Sequence, residues 1–169
     1  MLRFRPFKEC DAPVIAGWIR DEYSFRLWCA DRFEKYPLTA ADLIGHYDGF
    51  ADSDSFFQFT AYDEKGVAGH MIMRFTDSEK KTVRFGFVIV DYDRRGTGLG
   101  KEMMLIAEKY AFEFLGAEKI TLGVFENNPA AYHCYRAAGF HEVKTENTET
   151  YGVFGETWKC IEMELERPE

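Results

Sequence analysis

The chain has 169 residues, of which 46% are hydrophobic and 17% aromatic, a composition typical of one globular domain and not of a disordered segment. Its formal net charge of −8 argues against a nucleic-acid-binding protein, because binding phosphates requires a basic surface. The charge is compatible with a cationic partner such as an amine, although most acidic proteins carry such charge only on solvated surfaces.

The first half of the sequence predicts a strand, two helices and a group of three strands. Asp11, followed by Pro13, is typical of a helix start, and the spacing of Thr39 and Asp42 resembles a capping box. Over 21–50 the secondary-structure signals are otherwise weak. The three segments that follow are rich in aromatic or β-branched residues and are separated by short turns, as in an antiparallel meander. The predicted ranges are a strand at 2–7, helices at 12–20 and about 40–50, and strands at 55–63, 67–75 and 82–90.

The second half alternates strands with helices. After a glycine-rich turn, apolar residues recur in steps of three and four from Met103 to Phe114, which indicates a helix closed by Gly116. The predicted ranges are helices at 101–115 and 129–139, and strands at 119–125, 141–145 and 156–165. A run of strands followed by strand–helix–strand–helix predicts an α/β (α+β) fold with a mixed sheet, in a single domain over residues 1–169.

Several kinds of site and segment are not indicated. The four cysteines form no CxxC pair and the four histidines no HxxxH pair, so we expect neither a disulfide framework nor a metal site. The N-terminal residues form no signal-peptide core, and no apolar run reaches the length of a membrane span. We therefore expect a soluble protein of the cytoplasm.

The most informative stretch is the turn that follows the predicted strand at 82–90. Gly96, Gly98 and Gly100 alternate with single residues and open a helix, so that several backbone N–H groups can face one anion at the helix N-terminus. Arg94, Arg95 and Lys101 add positive charge. A diphosphate is the natural ligand of such a turn, and a plain flexible turn is the alternative.

Two other phosphate-binding patterns do not fit this turn. In a P-loop, Gly-Lys is followed by Ser or Thr, whereas Gly100-Lys101 is followed by Glu102, and Arg95 stands where the first glycine should be. The dinucleotide fingerprint GxGxxG is also absent, because the three glycines alternate.

The turn resembles the pyrophosphate loop of the GNAT family of N-acetyltransferases, Arg/Gln-x-x-Gly-x-Gly/Ala. The resemblance implies a mostly antiparallel central sheet flanked by helices, with acetyl-CoA as cosubstrate. It implies that the loop amides hold the CoA diphosphate, that the preceding strand lies along the pantetheine arm, and that a backbone N–H near Ile89 or Val90 faces the oxyanion. The cofactor-binding residues that it implies here are Val88, Ile89, Val90, Arg95, Gly96, Thr97, Gly98, Leu99, Gly100 and Lys101.

A second stretch, residues 128–140, matches the other signature of the family, N-x-x-A-x-x-x-Y-x-x-x-G-F, at every stated position. Asn128 is a suitable N-cap, and by resemblance it also contacts CoA. Ala131 and Tyr135 are four residues apart and share a helix face, where a small residue leaves a groove for a thin chain. With both motifs, the resemblance covers residues 82–145, the expected acetyl-CoA-binding core.

Tyr135 is the predicted catalytic residue. When an amine attacks a thioester, the tetrahedral intermediate expels a thiolate, which a nearby O–H can protonate. By resemblance the CoA arm runs along this helix, so Tyr135 would be the acid; the alternative is an ordinary core tyrosine. Cys134 is interpreted as a packing residue, because its neighbour His133 faces another direction on the helix.

The general base and the acceptor are less well defined. Many family members place a glutamate on the strand before the glycine loop or on the following strand, but neither 83–88 nor 121–125 contains an acid. Glu126 and a water relay are both open as the base. By resemblance the segment at about 11–50 builds the acceptor side, and its interleaved acids and aromatics suit a cationic amine, although acids on solvated faces and aromatics in the core explain them equally well.

The sequence thus predicts an N-acetyltransferase that acts on a primary amine by direct attack in a ternary complex. The acceptor is a small amine, a polyamine or a protein N-terminus, and the resemblance extends to the branch that modifies ribosomal-protein N-termini and polyamines. Family members are often dimers, so a homodimer is possible. The alternatives are a transferase of a larger acyl group, an acyl-CoA-binding regulatory module without turnover and, more remotely, a dinucleotide-binding protein.

Overall fold

The elements of the fold follow the local patterns of the sequence closely. A computed structural model describes all residues from 1 to 169. The helices are α1 Ala12–Gly17, α2 Glu22–Cys29, α3 Ala40–Asp48, α4 Leu99–Glu113 and α5 Pro129–Ala137. The strands are β1 Arg3–Pro6, β2 Phe56–Asp63, β3 Gly66–Phe75, β4 Thr82–Val90, β5 Lys119–Phe125, β6 His141–Glu142, β7 Thr150–Val153 and β8 Glu156–Glu166. No helix is long and apolar enough to cross a membrane.

The strands form one sheet in the order β1-β2-β3-β4-β5-β8-β6, with β7 also paired to β8. All pairs are antiparallel except β4 with β5, so the predicted mixed and mostly antiparallel sheet is confirmed. The predicted meander is β2-β3-β4. The parallel pair β4–β5 lies in the middle of the sheet, between an antiparallel half formed by β1–β4 and one formed by β5–β8.

Helices cover both faces of the sheet. One core of 17 buried residues includes Met104 and Ala111 of α4, Tyr135 of α5 and Met73 of β3. A second core of 12 buried residues includes Ile15 of α1, together with buried residues of α2 and α3, on the other face. The site described below lies between these two layers.

Asp11 differs from its predicted role. The sequence indicates a helix N-cap, but the Asp11 side chain makes no capping hydrogen bond to α1. Its carboxylate is buried and accepts two hydrogen bonds from Arg5 at 2.7 Å, one from the Thr60 hydroxyl at 2.7 Å and one from the Lys8 amide at 2.9 Å. The residue therefore ties β1 and β2 to the start of α1, a long-range contact that the local pattern does not show.

His70 is a second buried polar residue, on β3. It is completely buried, and its Nε2 lies 2.5 Å from the hydroxyl of Tyr47, which is also buried. Burial lowers the pKa of His70 from 6.5 to about 4, so the imidazole is neutral in the folded protein.

We expect this neutral histidine to make folding sensitive to mild acid. In the unfolded chain His70 binds a proton below pH 6.5, whereas in the folded protein it does so only below about pH 4. The free energy of unfolding therefore decreases as the pH falls through this window. The expected loss is about 3 kcal/mol over the whole window, of which about 2 kcal/mol falls between pH 7 and pH 5. Urea unfolding of the wild type and His70→Gln at pH 7 and pH 5 measures it; an equal loss in both proteins would contradict the assignment to His70.

Candidate active site

The site begins where β4 and β5 separate. The two strands pair only at Thr82–Lys119, Val83–Ile120 and Arg84–Thr121, and beyond these pairs they diverge. A bulge in β4 contributes to this divergence. The register of β4 against β3 shifts at the bulge, and Phe87 has a φ of +49°, which is rare for a bulky residue. The result is a cleft through the sheet, open between the two helical layers.

An ion pair that sequence reasoning did not find marks the closed end of this cleft. Arg84 donates to both carboxylate oxygens of Glu162 on β8, at 2.5 and 3.1 Å. The Arg84 side chain lies against Gly123, where a Cβ atom would be 3.0 Å from Nη2. Glycine at this position therefore allows Arg84 of β4 to reach across β5 to Glu162 of β8, at the point where β4 and β5 begin to separate.

A cavity of about 500 Å³ occupies the cleft. Its walls include every cofactor-binding residue implied by the family resemblance except Thr97 and Leu99, and they also include Tyr135. Thr97 holds the turn instead, donating its hydroxyl to the carbonyl oxygen of Arg94 at 2.7 Å, and Leu99 is buried at the start of α4. The two motifs, separated by about 30 residues in sequence, thus face one space.

The glycine-rich turn has the backbone geometry of an anion site. Gly96 and Gly98 have φ values of +74° and +84°, a region that other residues avoid, and Gly98 is the N-cap of α4. No atom lies within 4 Å of the position where a Cβ would stand on either glycine. The backbone of the turn therefore remains open to a ligand at the positive end of a 15-residue helix.

Two cations on the cavity wall lack a carboxylate partner. Arg94 pairs with Asp63, and Arg20 pairs with Asp93 at 3.1 Å, but neither Arg95 nor Lys101 forms an ion pair. The Arg95 guanidinium instead lies 4.9 Å from the ring centroid of Tyr92. In a protein of net charge −8, two uncompensated cations beside a helix N-terminus favour an anionic ligand such as a diphosphate.

Helix α5 brings Tyr135 to the opposite wall. Asn128 caps the helix, with its side-chain oxygen accepting from the Ala131 amide at 3.3 Å, and Pro129 occupies the first turn. Tyr135 is 8% exposed, and its hydroxyl makes no hydrogen bond within the protein. Burial raises the pKa of Tyr135, so the hydroxyl keeps its proton at neutral pH and can donate it.

Cys134 also lines the cavity. Its sulfur lies 3.2 Å from the position of a Cβ on Gly100, so α5 packs closely against the start of α4 at this point. Burial raises the pKa of the Cys134 thiol, which disfavours the thiolate that a nucleophile requires. This agrees with its interpretation as a packing residue.

The segment at about 11–50, which is predicted to build the acceptor side, contributes one wall of the cavity. This wall consists of Ile19, which lies between α1 and α2, and of Ser24, Leu27 and Trp28 of α2. The acids of this segment lie elsewhere and make local contacts: Asp21 caps α2, Asp42 caps α3, and Asp31 pairs with Arg32. Glu126 lines a separate cavity and not this one.

Comparisons with known proteins agree with this geometry. The spermidine N-acetyltransferase of Vibrio cholerae in complex with CoA and spermine has a TM-score of 0.82 at 20% identity, over 98% of this chain and 95% of that one. A mutant form of the same enzyme gives a TM-score of 0.79 at 22% identity, over 98% and 93%. These similarities show a shared fold. A sequence model of the acetyltransferase (GNAT) family matches residues 16–140. The chain therefore belongs to the acetyltransferase (GNAT) family.

Proposed function

We propose that residues 1–169 form one N-acetyltransferase domain whose reaction takes place in the cleft between β4 and β5. The family is one of acetyltransferases, and we propose that this member is an acetyl-CoA-dependent N-acetyltransferase that acts on a primary amine. The observation that carries the proposal is the continuous cavity of about 500 Å³, because it joins the glycine-rich turn, the split strands and Tyr135.

The proposed roles follow from the position of each group around the cavity. The turn from Arg95 to Lys101 holds the CoA diphosphate, with Asn128 nearby on α5, and the edge of β4 at 88–90 lies along the pantetheine arm. Beyond Arg84 this edge is not paired to β5, so its backbone groups are available to an amide-containing chain.

The chemical step needs one base and one acid. The neutral amine attacks the thioester carbonyl carbon, and a backbone N–H near Ile89 or Val90 stabilises the oxyanion. The C–S bond then breaks, its electron pair stays on sulfur, and Tyr135 donates a proton to that sulfur. The proton lost by the amine goes to water in the cavity, because no carboxylate lines it, and the Tyr135 phenolate regains a proton from water before the next turnover.

We propose a small polyamine as the acceptor, ahead of a protein N-terminus. The similar structures include a spermidine N-acetyltransferase in complex with CoA and spermine. The net charge of −8 favours the approach of a polycation. We also propose that the protein acts in the cytoplasm, where its four free cysteines stay reduced, and that it forms a homodimer, which light scattering would detect.

Ligand-induced stabilisation tests the site. Acetyl-CoA at about 100 times its Kd is expected to add about 2.7 kcal/mol, a rise in Tm of roughly 5–10 °C, whereas NADH and ATP should have little effect. Gly98→Val should abolish the rise, since a β-branched residue is strained at a φ of +84° and its side chain enters the ligand space. Gly45→Ala in α3, where the added Cβ meets no atom within 4 Å, is the control.

CoA release with spermidine, spermine and an N-terminal peptide then tests the acceptor. We expect turnover with the two polyamines. A larger rise in Tm with NADH than with acetyl-CoA would overturn the site, and turnover of the peptide alone would overturn the choice of acceptor.

A further inference from the structure

A second cavity, of about 400 Å³, lies beside the acceptor side of the first. It opens between the start of α2, the end of β5 and the β7–β8 hairpin, and it shares no lining residue with the first cavity. The two are nevertheless adjacent, because Tyr23 precedes Ser24 and Asn127 precedes Asn128. At the second cavity, the Asn127 side chain donates a hydrogen bond to the Tyr23 hydroxyl at 2.9 Å. Its lining residues are Tyr23, Glu126, Asn127, Glu156, Thr157, Trp158 and Lys159.

Aromatic rings group around this cavity. The ring centroid of Trp158 lies 5.2 Å from that of Tyr23 and 6.0 Å from that of Phe154, which in turn stacks on Tyr23 at 6.5 Å. Trp158 is buried, but Tyr23 is 45% exposed and Phe154 is 53% exposed. Two of the three rings are therefore partly exposed to solvent beside the cavity, an arrangement that core packing alone does not require.

The position of Phe154 is costly for its residue type. It occupies the turn between β7 and β8 with a φ of +53°, where Asn or Gly is the usual choice. An exposed phenylalanine gains little from burial at such a position. Its contacts with Tyr23 and Trp158 instead hold the aromatic group together beside the second cavity.

Carboxylates outnumber cations around the rings. Glu156 accepts a hydrogen bond from the indole Nε1 of Trp158 at 3.1 Å, which fixes the carboxylate beside the aromatic group. Glu126 is exposed and forms no ion pair, and Lys159 is the one cation among the lining residues. Ring faces together with carboxylates are the groups that bind an alkylammonium ion.

We propose that this second cavity binds a distal ammonium group of the acceptor while the reacting amine lies in the first cavity. The inference rests on the proposed function and adds to it a second contact, which diamines and polyamines can make and a monoamine cannot. Glu126 then acts in acceptor binding and not as the general base.

Matched pairs of amines test the inference. We expect the wild type to show a kcat/KM at least about 10-fold higher for linear alkane-diamines than for monoalkylamines of equal length, and a smaller preference at high salt. The double variant Glu126→Gln/Glu156→Gln should raise KM for the diamines about 5-fold and leave the monoamines unchanged. Glu113→Gln, an exposed acid on α4, is the control for lost charge.

Phe154→Asn separates binding from folding. Asparagine suits the turn, so this variant should be at least as stable as the wild type and should still lose about 3-fold in kcat/KM for diamines. Equal kcat/KM for monoamines and diamines in the wild type, or an unchanged preference in the double variant, overturns this inference alone. If acetyl-CoA stabilises the protein but no amine is acetylated, the proposed function fails and this inference fails with it.

Discussion

Tyr135→Phe is expected to lower kcat for acetyl transfer by about 100-fold or more while leaving the affinity for acetyl-CoA unchanged. The substitution removes one hydroxyl, and that hydroxyl makes no hydrogen bond within the protein, so the packing of α5 should not change. Phenylalanine keeps the ring that lines the cavity but cannot protonate the departing sulfur. CoA release measured with a thiol reagent gives kcat, and calorimetry with acetyl-CoA gives the affinity.

Tyr132→Phe provides the matched control. Tyr132 lies one turn earlier on α5, and its hydroxyl donates to Glu142 at 2.6 Å, away from the cavity lining. Its loss should leave kcat within about 2-fold of the wild type, because an exposed hydrogen bond of this kind contributes little. A wild-type kcat in Tyr135→Phe would exclude the acid role and leave Tyr135 as a core residue only.

Asp11→Ala is expected to destabilise the protein by about 3–5 kcal/mol. The carboxylate is 1% exposed and accepts hydrogen bonds from Arg5, Thr60 and the Lys8 amide. Its removal leaves the Arg5 guanidinium and the Thr60 hydroxyl without their acceptor in a largely buried region. Urea unfolding at pH 7 measures the loss, and Asp54→Ala is the control, because its ion pair with Lys80 is exposed and should contribute at most about 1 kcal/mol. A loss below about 1 kcal/mol for Asp11→Ala would show that this network does not support the fold.

The same carboxylate determines a response to strong acid. Burial alone would raise the pKa of Asp11, but the hydrogen bonds from Arg5 and Thr60 outweigh it and lower the pKa from 3.8 to about 2. A depressed pKa stabilises the folded state above pH 3.8, and this stability, about 2 kcal/mol, is lost as the pH falls from 3.8 to about 2. The window lies below that of His70, so the two contributions separate in a pH series.

Local patterns were sufficient for most of the fold. The predicted strands at 82–90 and 119–125 coincide with β4 and β5, and the capping box at Thr39 is formed as the spacing indicates. The helix predicted over 12–20 ends earlier, at Gly17, and α2 was not predicted. Strand β7 was missed because it is short and mostly exposed, and its strand structure depends on pairing with β8.

The site was predictable only where its residues are close in sequence. The glycine-rich turn and the α5 motif are continuous stretches of sequence, so the ligand and the chemistry of each could be predicted from the sequence. The resemblance predicts which segment builds the acceptor wall, but Ser24 and Leu27 were not predicted, because they reach the cleft only when α2 packs against β4. Glu162 was missed for the same reason, since it meets Arg84 across β5 through the pairing of β5 with β8.

The short parallel ladder between β4 and β5 has a consequence for motion. Three residue pairs and the Arg84–Glu162 ion pair join the half of the sheet formed by β1–β4 to the half formed by β5–β8 at this junction. Side chains of both halves share one core, but few backbone hydrogen bonds join β4 to β5, so amide hydrogen exchange should report lower protection along this junction than in the rest of the sheet. A cosubstrate bound between the two halves contacts both, so a higher cosubstrate concentration should make opening between β4 and β5 less frequent. The cellular supply of acetyl-CoA would thereby control the rigidity of the enzyme as well as its rate.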